Sequence, residues 1–203
     1  MTSWKELRDE AASCTRCDLH QRATQTVFGE GRASASIALV GEQPGDQEDK
    51  QGHPFVGPAG RILDRALDEA GISRDDVYVT NAVKHFKWTG RGKRRIHQRP
   101  NGSEIRACRF WLDGELGAIR PRLVVLLGAV AGEAMFGSRY RVGEHKGTAE
   151  EASLGSWHGL VVGTIHPSAV LRGPDQEGRD QAYAGLVADL VVARDAAAEA
   201  AAR

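Results

Sequence analysis

The sequence predicts an α/β fold, a three-layer α/β/α sandwich around a four-stranded, mostly parallel central sheet. Two observations carry this prediction. Short apolar runs with the length of buried strands alternate with segments whose apolar residues recur at helical spacing. Gly and Pro separate these runs and segments. Strands that alternate with helices form parallel sheets covered on both faces, and ligands bind beyond the carboxyl ends of the strands.

The first half of the chain is predicted to contain two helices and two strands. The motif Ser3-Trp4-Lys5-Glu6 is typical of a capping box, and Pro58 stands where a first helical residue is favoured. In order, the predicted elements are a helix from Ser3 to about Cys14, a strand from Ser36 to Gly41, a loop from Glu42 to Gly57, a helix from Pro58 to about Gly71 and a strand from Val77 to Val83.

A basic loop opens the second half, and helices and strands alternate after it. Pro121 ends the first helix of this half, and the Ala-rich tail over 193–203 is expected to be a frayed helix end. The predicted elements are a helix from Ser103 to Ile119, a strand from Leu123 to Leu127, a helix from Ala129 to Phe136, an irregular stretch from Gly137 to Gly159 that could hold a hairpin, a strand from Leu160 to Ile165 and a helix from near Gln176 through Ala182 to Ala193.

Composition excludes several classes of protein. The 203 residues include 27 Lys or Arg and 27 Asp or Glu, so the net charge is zero and a non-specific coat on nucleic acid is disfavoured. The chain has no apolar run as long as a membrane span and no apolar leader. We expect a single domain over residues 1–203 that is cytoplasmic, does not enter membranes and is monomeric.

Positive charge is concentrated in one segment. Between Ala82 and Ser103 there are seven Lys or Arg residues and no Asp or Glu, and the run Lys93-Arg94-Arg95-Ile96-His97 lies within it. Such a run is most often a solvated loop. Alternatively, its cations bind phosphates, and the neutral imidazole of His97 is a potential nucleophile.

Polar side chains follow the predicted strands at the edge where ligands bind. Glu42 follows the first strand, Asn81 closes the second and His166 follows the fourth. Each has a structural alternative, which is turn chemistry for Glu42 and Asn81 and a packed or capping role for His166. The functional interpretation is that the Glu42 carboxylate faces a developing cation, the Asn81 amide hydrogen-bonds the edge of a base and the His166 imidazole donates a hydrogen bond. Phe55 could stack on a base, although a lone Phe is more often part of a core.

The three cysteines favour a metal centre over disulfides. Cys14 and Cys17 form a C-x-x-C motif that does not follow a strand, which argues against a thioredoxin-type redox pair. With Cys108 they supply three soft ligands, which select zinc or an iron–sulfur centre. A fourth ligand would be His, Asp or Glu, and His85 is a candidate. The alternative is two scattered thiols and one buried Cys.

Five motifs taken together resemble the bacterial UdgX-type uracil-DNA glycosylases, a branch close to the iron–sulfur family-four enzymes. The resemblance extends from Cys14 to about Leu190. The motifs are, in order, Gly41-Glu42-Gln43-Pro44-Gly45, Pro54-Phe55-Val56-Gly57-Pro58-Ala59-Gly60, Thr80-Asn81-Ala82-Val83-Lys84-His85, Lys93-Arg94-Arg95-Ile96-His97 and His166-Pro167-Ser168. Two departures from family four identify the branch, namely His85 in place of a cysteine and the presence of the loop that ends in His97.

The resemblance implies an enzyme that excises uracil from DNA, with single strands preferred. It implies a four-iron four-sulfur cluster, and it implies that His97 becomes bonded to the deoxyribose after uracil leaves. Glu42 and His166 would complete the catalytic set. The implied cluster ligands are Cys14, Cys17, His85 and Cys108. The implied substrate-binding residues are Gln43, Asp46, Phe55, Asn81, Lys93, Arg94, Arg95 and Ser168.

Two rival functions remain at this stage. A conventional glycosylase with repeated turnover would use His97 only to hold phosphate. A non-catalytic iron–sulfur protein that binds DNA or transfers electrons would need no convergence of Glu42, Asn81 and His166 at three strand ends. A P-loop nucleotide-binding protein is disfavoured because the loop after the first strand lacks the Gly-Lys-Ser/Thr ending.

Overall fold

A mixed sheet of six strands forms the centre of the structure, a computed structural model that describes residues 3–92 and 94–202. The strands of the chain are β1 (Glu30–Gly31), β2 (Ile37–Gly41), β3 (Val77–Asn81), β4 (Trp88–Arg91), β5 (Arg94–His97), β6 (Leu123–Leu127), β7 (Ala149–Leu154) and β8 (Trp157–Thr164). The sheet has the order β1-β3-β2-β6-β8-β7, and β4 and β5 form a separate hairpin. Strands β3, β2, β6 and β8 are mutually parallel, whereas the edge strands β1 and β7 pair antiparallel.

The prediction of a four-stranded sheet is wrong, because the sheet in the described residues has two more strands. The four predicted strands are its central, parallel members. Strand β1 has only two residues and shows no alternation. Strand β7 is a polar edge strand that pairs with β8 across a tight turn at Gly155, whose φ is 56°. This hairpin begins in the stretch from Gly137 to Gly159, which was expected to be irregular and was named as able to hold a hairpin.

Helices cover both faces of the sheet, and two hydrophobic cores separate the layers. Along β2, Ala38 and Val40 face one core, whereas Ile37 and Leu39 face the other. The helices are α1 (Trp4–Ala11), α2 (Asp46–Gln51), α3 (Pro58–Glu69), α4 (Gly102–Ile119), α5 (Ala129–Phe136), α6 (Val142–His145), α7 (Pro167–Leu171) and α8 (Gln176–Ala201). The first core includes residues of α1, α4 and α5, and the second includes residues of α3, α7 and α8. No helix in the described part of the chain has the length and hydrophobicity needed to cross a membrane.

The two terminal helices differ from the predictions in their length. The capping box at Ser3 is confirmed, but α1 ends at Ala11 rather than near Cys14. Helix α8 continues to Ala201, so residues 193–201 are helical within the stretch that was expected to be a frayed helix end. Ala193 and Ala197 are buried against the second core. Burial of this alanine face stabilises the helix end, which composition alone did not reveal.

The basic segment that was expected to be a loop contains the β4–β5 hairpin. Trp88 pairs with His97 at its base, and Arg91 pairs with Arg94 near its tip. Lys93 lies outside the described residues. Apolar residues are too few here to display the alternation by which strands are predicted. The hairpin places His97 at its base, next to the main sheet.

Gly60 allows α3 to pass the loop that carries Phe55. A Cβ atom at position 60 would lie 1.7 Å from the carbonyl oxygen of Phe55. We expect Gly60→Ala to lower the free energy of unfolding by about 1–3 kcal/mol or more, because backbone must move. Gly143→Ala is the control, since its Cβ would meet nothing within 4 Å. Urea denaturation of both variants measures the difference, and equal stabilities would contradict this packing.

Candidate active site

A cavity of about 720 Å³ opens at the carboxyl ends of the parallel strands. Glu42 reaches it directly after β2, Asn81 at the end of β3 and His166 shortly after β8. The sequence-predicted residues that line the cavity are Glu42, Gln43, Asp46, Phe55, Asn81, His97, His166 and Ser168. The fold therefore brings together side chains that are up to about 120 residues apart in sequence.

The imidazole of His97 faces the carboxylate of Glu42. His97 Nε2 lies 3.4 Å from Glu42 Oε1, and this buried oxygen accepts no hydrogen bond in the described part of the chain. The amide of Val83 donates to the backbone oxygen of Glu42 at 3.0 Å and so fixes the residue at the end of its strand. Burial raises the pKa of the Glu42 carboxyl, and Arg99 and Arg172 act against this shift.

Burial and a nearby cation favour the uncharged form of the His97 imidazole. Burial lowers the pKa of His97, and Arg172 acts in the same direction. Arg172 does not belong to the basic run around His97, because it follows the end of α7 on another part of the chain. Beneath the imidazole, Phe86 is buried with its ring centroid 6.1 Å from that of His97.

Hydrogen bonds fix which nitrogen of His166 carries the proton. His166 is the N-cap of α7, and its Nδ1 accepts from the backbone N–H of Ser168 at 3.1 Å. Because a backbone N–H only donates, Nδ1 is unprotonated and the neutral ring carries its hydrogen on Nε2. Burial lowers the pKa of His166 to about 4, and Arg172 and His97 act in the same direction. His166 is therefore a neutral donor at physiological pH.

Phe55 and Asn81 form the inner part of the cavity. Phe55 has a φ of 58°, which is uncommon for a residue with a side chain, and its ring stacks on that of His166 with centroids 6.0 Å apart. Asn81 is buried, and its Oδ1 has no hydrogen-bond partner among the described residues. A Cβ at Gly41 would lie 2.4 Å from Asn81 Oδ1 and 2.5 Å from Phe55 Cζ. Glycine at the end of β2 thus lets both side chains approach.

The amide of Gln43 holds the base of the hairpin together. Its Nε2 donates to the carbonyl oxygens of Lys87 at 3.3 Å and Gln98 at 3.0 Å. Its Oε1 accepts from the N–H of Lys87 at 3.0 Å. Lys87 and Gln98 are the residues that flank the two strands. The polar groups of Gln43 are therefore used within the protein, and contact with substrate stays a prediction.

Arg95 anchors the hairpin to α2. Its guanidinium forms ion pairs with Asp46 and Asp49, both at 2.6 Å, and it lies over the rings of Phe86 and Trp88. It was predicted to bind DNA, as was Asp46, which also pairs with a lysine on its own helix. The structure instead uses both residues to hold the hairpin. Their direct contact with substrate stays a prediction.

Arg94, the other described cation of the basic run, extends away from this anchor. Arg94 is exposed on the opposite face of β5 from Arg95, because side chains alternate along a strand. Trp88 is partly buried and donates to the carbonyl of Arg22 at 3.0 Å. Among the described cations of the run, Arg94 therefore has the side chain that is exposed for contact with a phosphate.

Two arginines that line the cavity were missed by the sequence analysis. Arg99 lies two residues after His97, and Arg172 lies six residues after His166. Arg172 Nη1 donates to Ser168 Oγ at 2.9 Å, and this oxygen lies 2.8 Å from His166 Nδ1. Proximity to predicted histidines was the available signal, but a single Arg after a short helix carries no specific pattern.

Comparison with known proteins places this site in a family. Residues 28–191 match the model of the uracil DNA glycosylase superfamily. The chain belongs to this superfamily. It is 34% identical over 181 residues to the type-4 uracil-DNA glycosylase of Pyrobaculum aerophilum, covering 87% of this chain and 89% of the relative. The type-4 enzyme of Thermotoga maritima is 37% identical over 174 residues, covering 84% of each. A type-5 enzyme of Thermus thermophilus is 35% identical over 142 residues, covering 59% of this chain and 61% of the relative.

In this superfamily member the three predicted cysteine ligands are close enough to interact electrostatically, but the four predicted ligands do not form a ready ion site. No group of three or more His, Cys, Asp or Glu within 3–92 and 94–202 could hold a metal ion. Burial raises the pKa of Cys108 to about 12, and Cys17 and Cys14 are close enough to act in the same direction, although Lys84 opposes them. The ligands of a cubane cluster bind separate iron atoms, so they need not converge on one point.

The donor chemistry at these residues fits an iron–sulfur cluster. His85 Nε2 lies 2.9 Å from the hydroxyl of Thr26, and its buried Nδ1 has no hydrogen-bond partner among the described residues. An imidazole held through one nitrogen presents the other to a metal. Cys14 Sγ accepts from the indole N–H of Trp111, and Cys108 Sγ accepts from the backbone N–H of Lys84, both at 3.1 Å. Sulfurs that accept hydrogen bonds are typical of cluster ligands.

The lowered pKa of His166 predicts a loss of stability in acid. Between the unfolded pKa near 6.5 and the folded value of about 4, the unfolded chain binds the extra proton. The stabilisation is complete above pH 6.5 and is lost as the pH falls toward 4, by up to about 3 kcal/mol. We expect urea denaturation to show a smaller loss for His166→Asn, which retains an N-cap residue. His158→Asn, at an exposed position, should match the wild type; equal pH slopes in all three proteins would refute the assignment.

Proposed function

We propose that this chain is a DNA-repair glycosylase that excises uracil and becomes covalently linked through His97 to the abasic sugar. The observation that carries the proposal is the 3.4 Å approach of His97 Nε2 to Glu42 Oε1 beside the cavity. A carboxylate placed to face a sugar cation thus has a neutral nucleophile next to it. Similarity to type-4 uracil-DNA glycosylases supports the excision step, and the arrangement of His97 supports the covalent step.

Recognition of uracil is assigned to Asn81 and Phe55. A base inside a duplex is out of reach, so the enzyme takes single strands or flips the nucleotide out. Asn81 Oδ1, which lacks a partner in the described structure, would accept from uracil N3–H, and its amide nitrogen would donate to O4. Cytosine reverses both the donor and the acceptor and is therefore rejected. The ring of Phe55 would stack on the base.

Cleavage of the glycosidic bond separates charge, and the cavity holds a group for each charge. The bond between C1′ and N1 breaks with its electron pair leaving on uracil, and an oxocarbenium-like sugar remains. Glu42 stabilises the developing cation. The Nε2–H of neutral His166 donates to the carbonyl oxygen on which the negative charge of uracil accumulates. Fixed groups of this kind lower the barrier because they need no reorganisation during the reaction.

His97 then competes with water for the sugar carbon. In the tautomer with hydrogen on Nδ1, the Nε2 lone pair forms a bond to C1′. The resulting imidazolium releases its Nδ1 proton to solvent, and the uracil anion takes up a proton, so the net products are an alkylated imidazole and neutral uracil. Burial favours the neutral ring that this attack requires, because it lowers the pKa of His97.

DNA binding is assigned to the outer cations of the hairpin and to the rim of the cavity. Arg94 would contact phosphates that flank the flipped nucleotide, together with Lys93, which lies outside the described residues. Ser168 lies on the rim beside His166. Single-stranded DNA is the preferred substrate in this proposal, because an unpaired uracil needs no extraction from a stack. The protein would act as a cytoplasmic monomer.

A four-iron four-sulfur cluster held by Cys14, Cys17, His85 and Cys108 completes the proposal. Its role would be structural: it would cross-link the segment after α1, the residues before β4 and helix α4. Because β4 begins only three residues after His85, the cross-link would fix the segment from which the hairpin emerges.

The covalent step predicts a protein–DNA species that survives denaturation. We expect incubation with single-stranded DNA that contains uracil to shift the protein band on a denaturing gel, with one DNA bound per chain at most. Mass spectrometry should find the sugar on the peptide that contains His97. Release of uracil with only free protein and free DNA on the gel would instead favour the conventional turnover glycosylase that the type-4 relatives suggest.

Replacement of His97 should abolish the covalent adduct and allow repeated turnover. We expect His97→Ser to release uracil repeatedly without a stable adduct, because water can reach the sugar carbon. Single- and multiple-turnover assays of uracil release measure this change. His158→Ser, an exposed histidine on the distant β7–β8 hairpin, is the matched control and should still form the adduct. Failure of His97→Ser to release any uracil would contradict the proposal that excision of uracil does not require the covalent bond to His97.

The cluster assignment predicts iron in the purified protein. We expect about four iron atoms per chain and a visible charge-transfer absorption. Cys17→Ala should lower the iron content and the thermal stability together, whereas His158→Ser should change neither. Anaerobically purified wild-type protein without iron would disprove the assignment while leaving the excision chemistry intact.

A further inference from the structure

A fully buried lysine stands behind the cavity and has no role in the steps described above. Both side chains of the Lys84–Glu115 ion pair are completely inaccessible to solvent, and Lys84 Nζ lies 2.5 Å from Glu115 Oε2. Lys84 Nζ also donates to Thr80 Oγ1 and to the backbone oxygen of Asn81, both at 2.7 Å. An ammonium group has three N–H donors, and each donor of Lys84 therefore has one acceptor.

Glu115 holds this lysine in place because it is itself the centre of a network. It accepts from the backbone N–H of Gly29 and from the hydroxyl of Tyr78, each at 2.9 Å, and from the hydroxyl of Thr80. Tyr78 in turn accepts from the indole N–H of Trp4 at 2.8 Å. The carboxylate therefore joins α1, β3 and α4, and the position of the lysine head is determined from several elements.

The main chain of Lys84 is fixed as firmly as its side chain. Its N–H donates to Cys108 Sγ on α4, and its carbonyl accepts from Val27 at 2.8 Å. The lysine side chain thus runs from this fixed point back to the carbonyl of Asn81, three residues earlier. The Asn81 side chain lines the cavity, and its oxygen has no hydrogen-bond partner among the described residues.

We propose that Lys84, held by Glu115, is a positioning residue that sets the orientation of the Asn81 amide and thereby the selectivity for uracil. The inference rests on the proposed function. Stability alone does not explain a buried ion pair here, since apolar residues of similar volume are often as stabilising. However, the three N–H donors of Lys84 bind a carboxylate, a hydroxyl and the backbone oxygen of Asn81. These hydrogen bonds restrict the orientation of one peptide group at the end of β3.

A double-mutant cycle tests this coupling. Uracil release in a single turnover is measured for the wild type, Asn81→Ala, Lys84→Met and the double variant. We expect Lys84→Met to slow excision about tenfold or more in the wild-type background and less than about twofold in the Asn81→Ala background. The dissociation constant for DNA should stay within about twofold, because phosphate contacts lie elsewhere. Equal fold-losses in the two backgrounds would overturn the inference.

A second variant covers the case in which an unpaired Glu115 prevents folding of Lys84→Met. Lys84→Met/Glu115→Gln removes both charges, so no buried carboxylate is left alone, and it should show the same loss of excision and the same dependence on Asn81. Tyr78→Phe is the matched control, because it removes a hydrogen bond to the same carboxylate without touching Asn81. It should lower stability but slow excision by less than about twofold, because Gly29, Thr80 and Lys84 still donate to the Glu115 carboxylate.

The outcomes separate the inference from the proposed function. An active wild type with an unimpaired Lys84→Met/Glu115→Gln variant would overturn the positioning role only. A wild type that releases no uracil from DNA would overturn the proposed function and, with it, this inference. A Tyr78→Phe variant as slow as the lysine variants would assign the effect to general loss of packing and would also overturn the positioning role.

Discussion

The site depends first on three hydrogen bonds made by the amide of Gln43. They join the residues on either side of the β4–β5 hairpin, Lys87 and Gln98, to the loop that follows β2. Glu42 is the preceding residue in that loop, and His97 is the last residue of β5. One side chain therefore sets the distance between carboxylate and imidazole. Arg95 is a second anchor, because its ion pairs hold the same hairpin to α2.

Removal from water determines the charge states in the cavity. Burial lowers the pKa of both His97 and His166 and raises the pKa of Glu42. Arg172 assists the first two shifts and opposes the third. A single cation at the end of α7 thus favours neutral imidazoles and an ionised carboxylate at once, which is the combination that the proposed chemistry needs.

Behind the cavity, a second polar network connects Cys108 with Asn81. Lys84 contacts Cys108 through its backbone and Asn81 through its side chain. Buried charges of this kind are costly unless they are fully paired, and here each donor and acceptor that the network uses has a partner. The arrangement restricts conformations rather than adding a large stabilisation.

The sequence by itself determined the α/β class, the four parallel strands and the residues at their carboxyl ends. Strand length, helical spacing and the Gly and Pro residues between elements are all features of short stretches of sequence. Glu42, Asn81 and His166 were found in this way. It could not assign the edge strand β1, the β4–β5 hairpin or the buried end of α8, and it gave the β7–β8 hairpin only as one possibility, since short polar strands and alanine runs gain their structure from neighbours. Only the tertiary structure decided that Gln43, Asp46 and Arg95 hold the hairpin and that Arg172 acts on His97, because these roles depend on contacts between residues far apart in sequence.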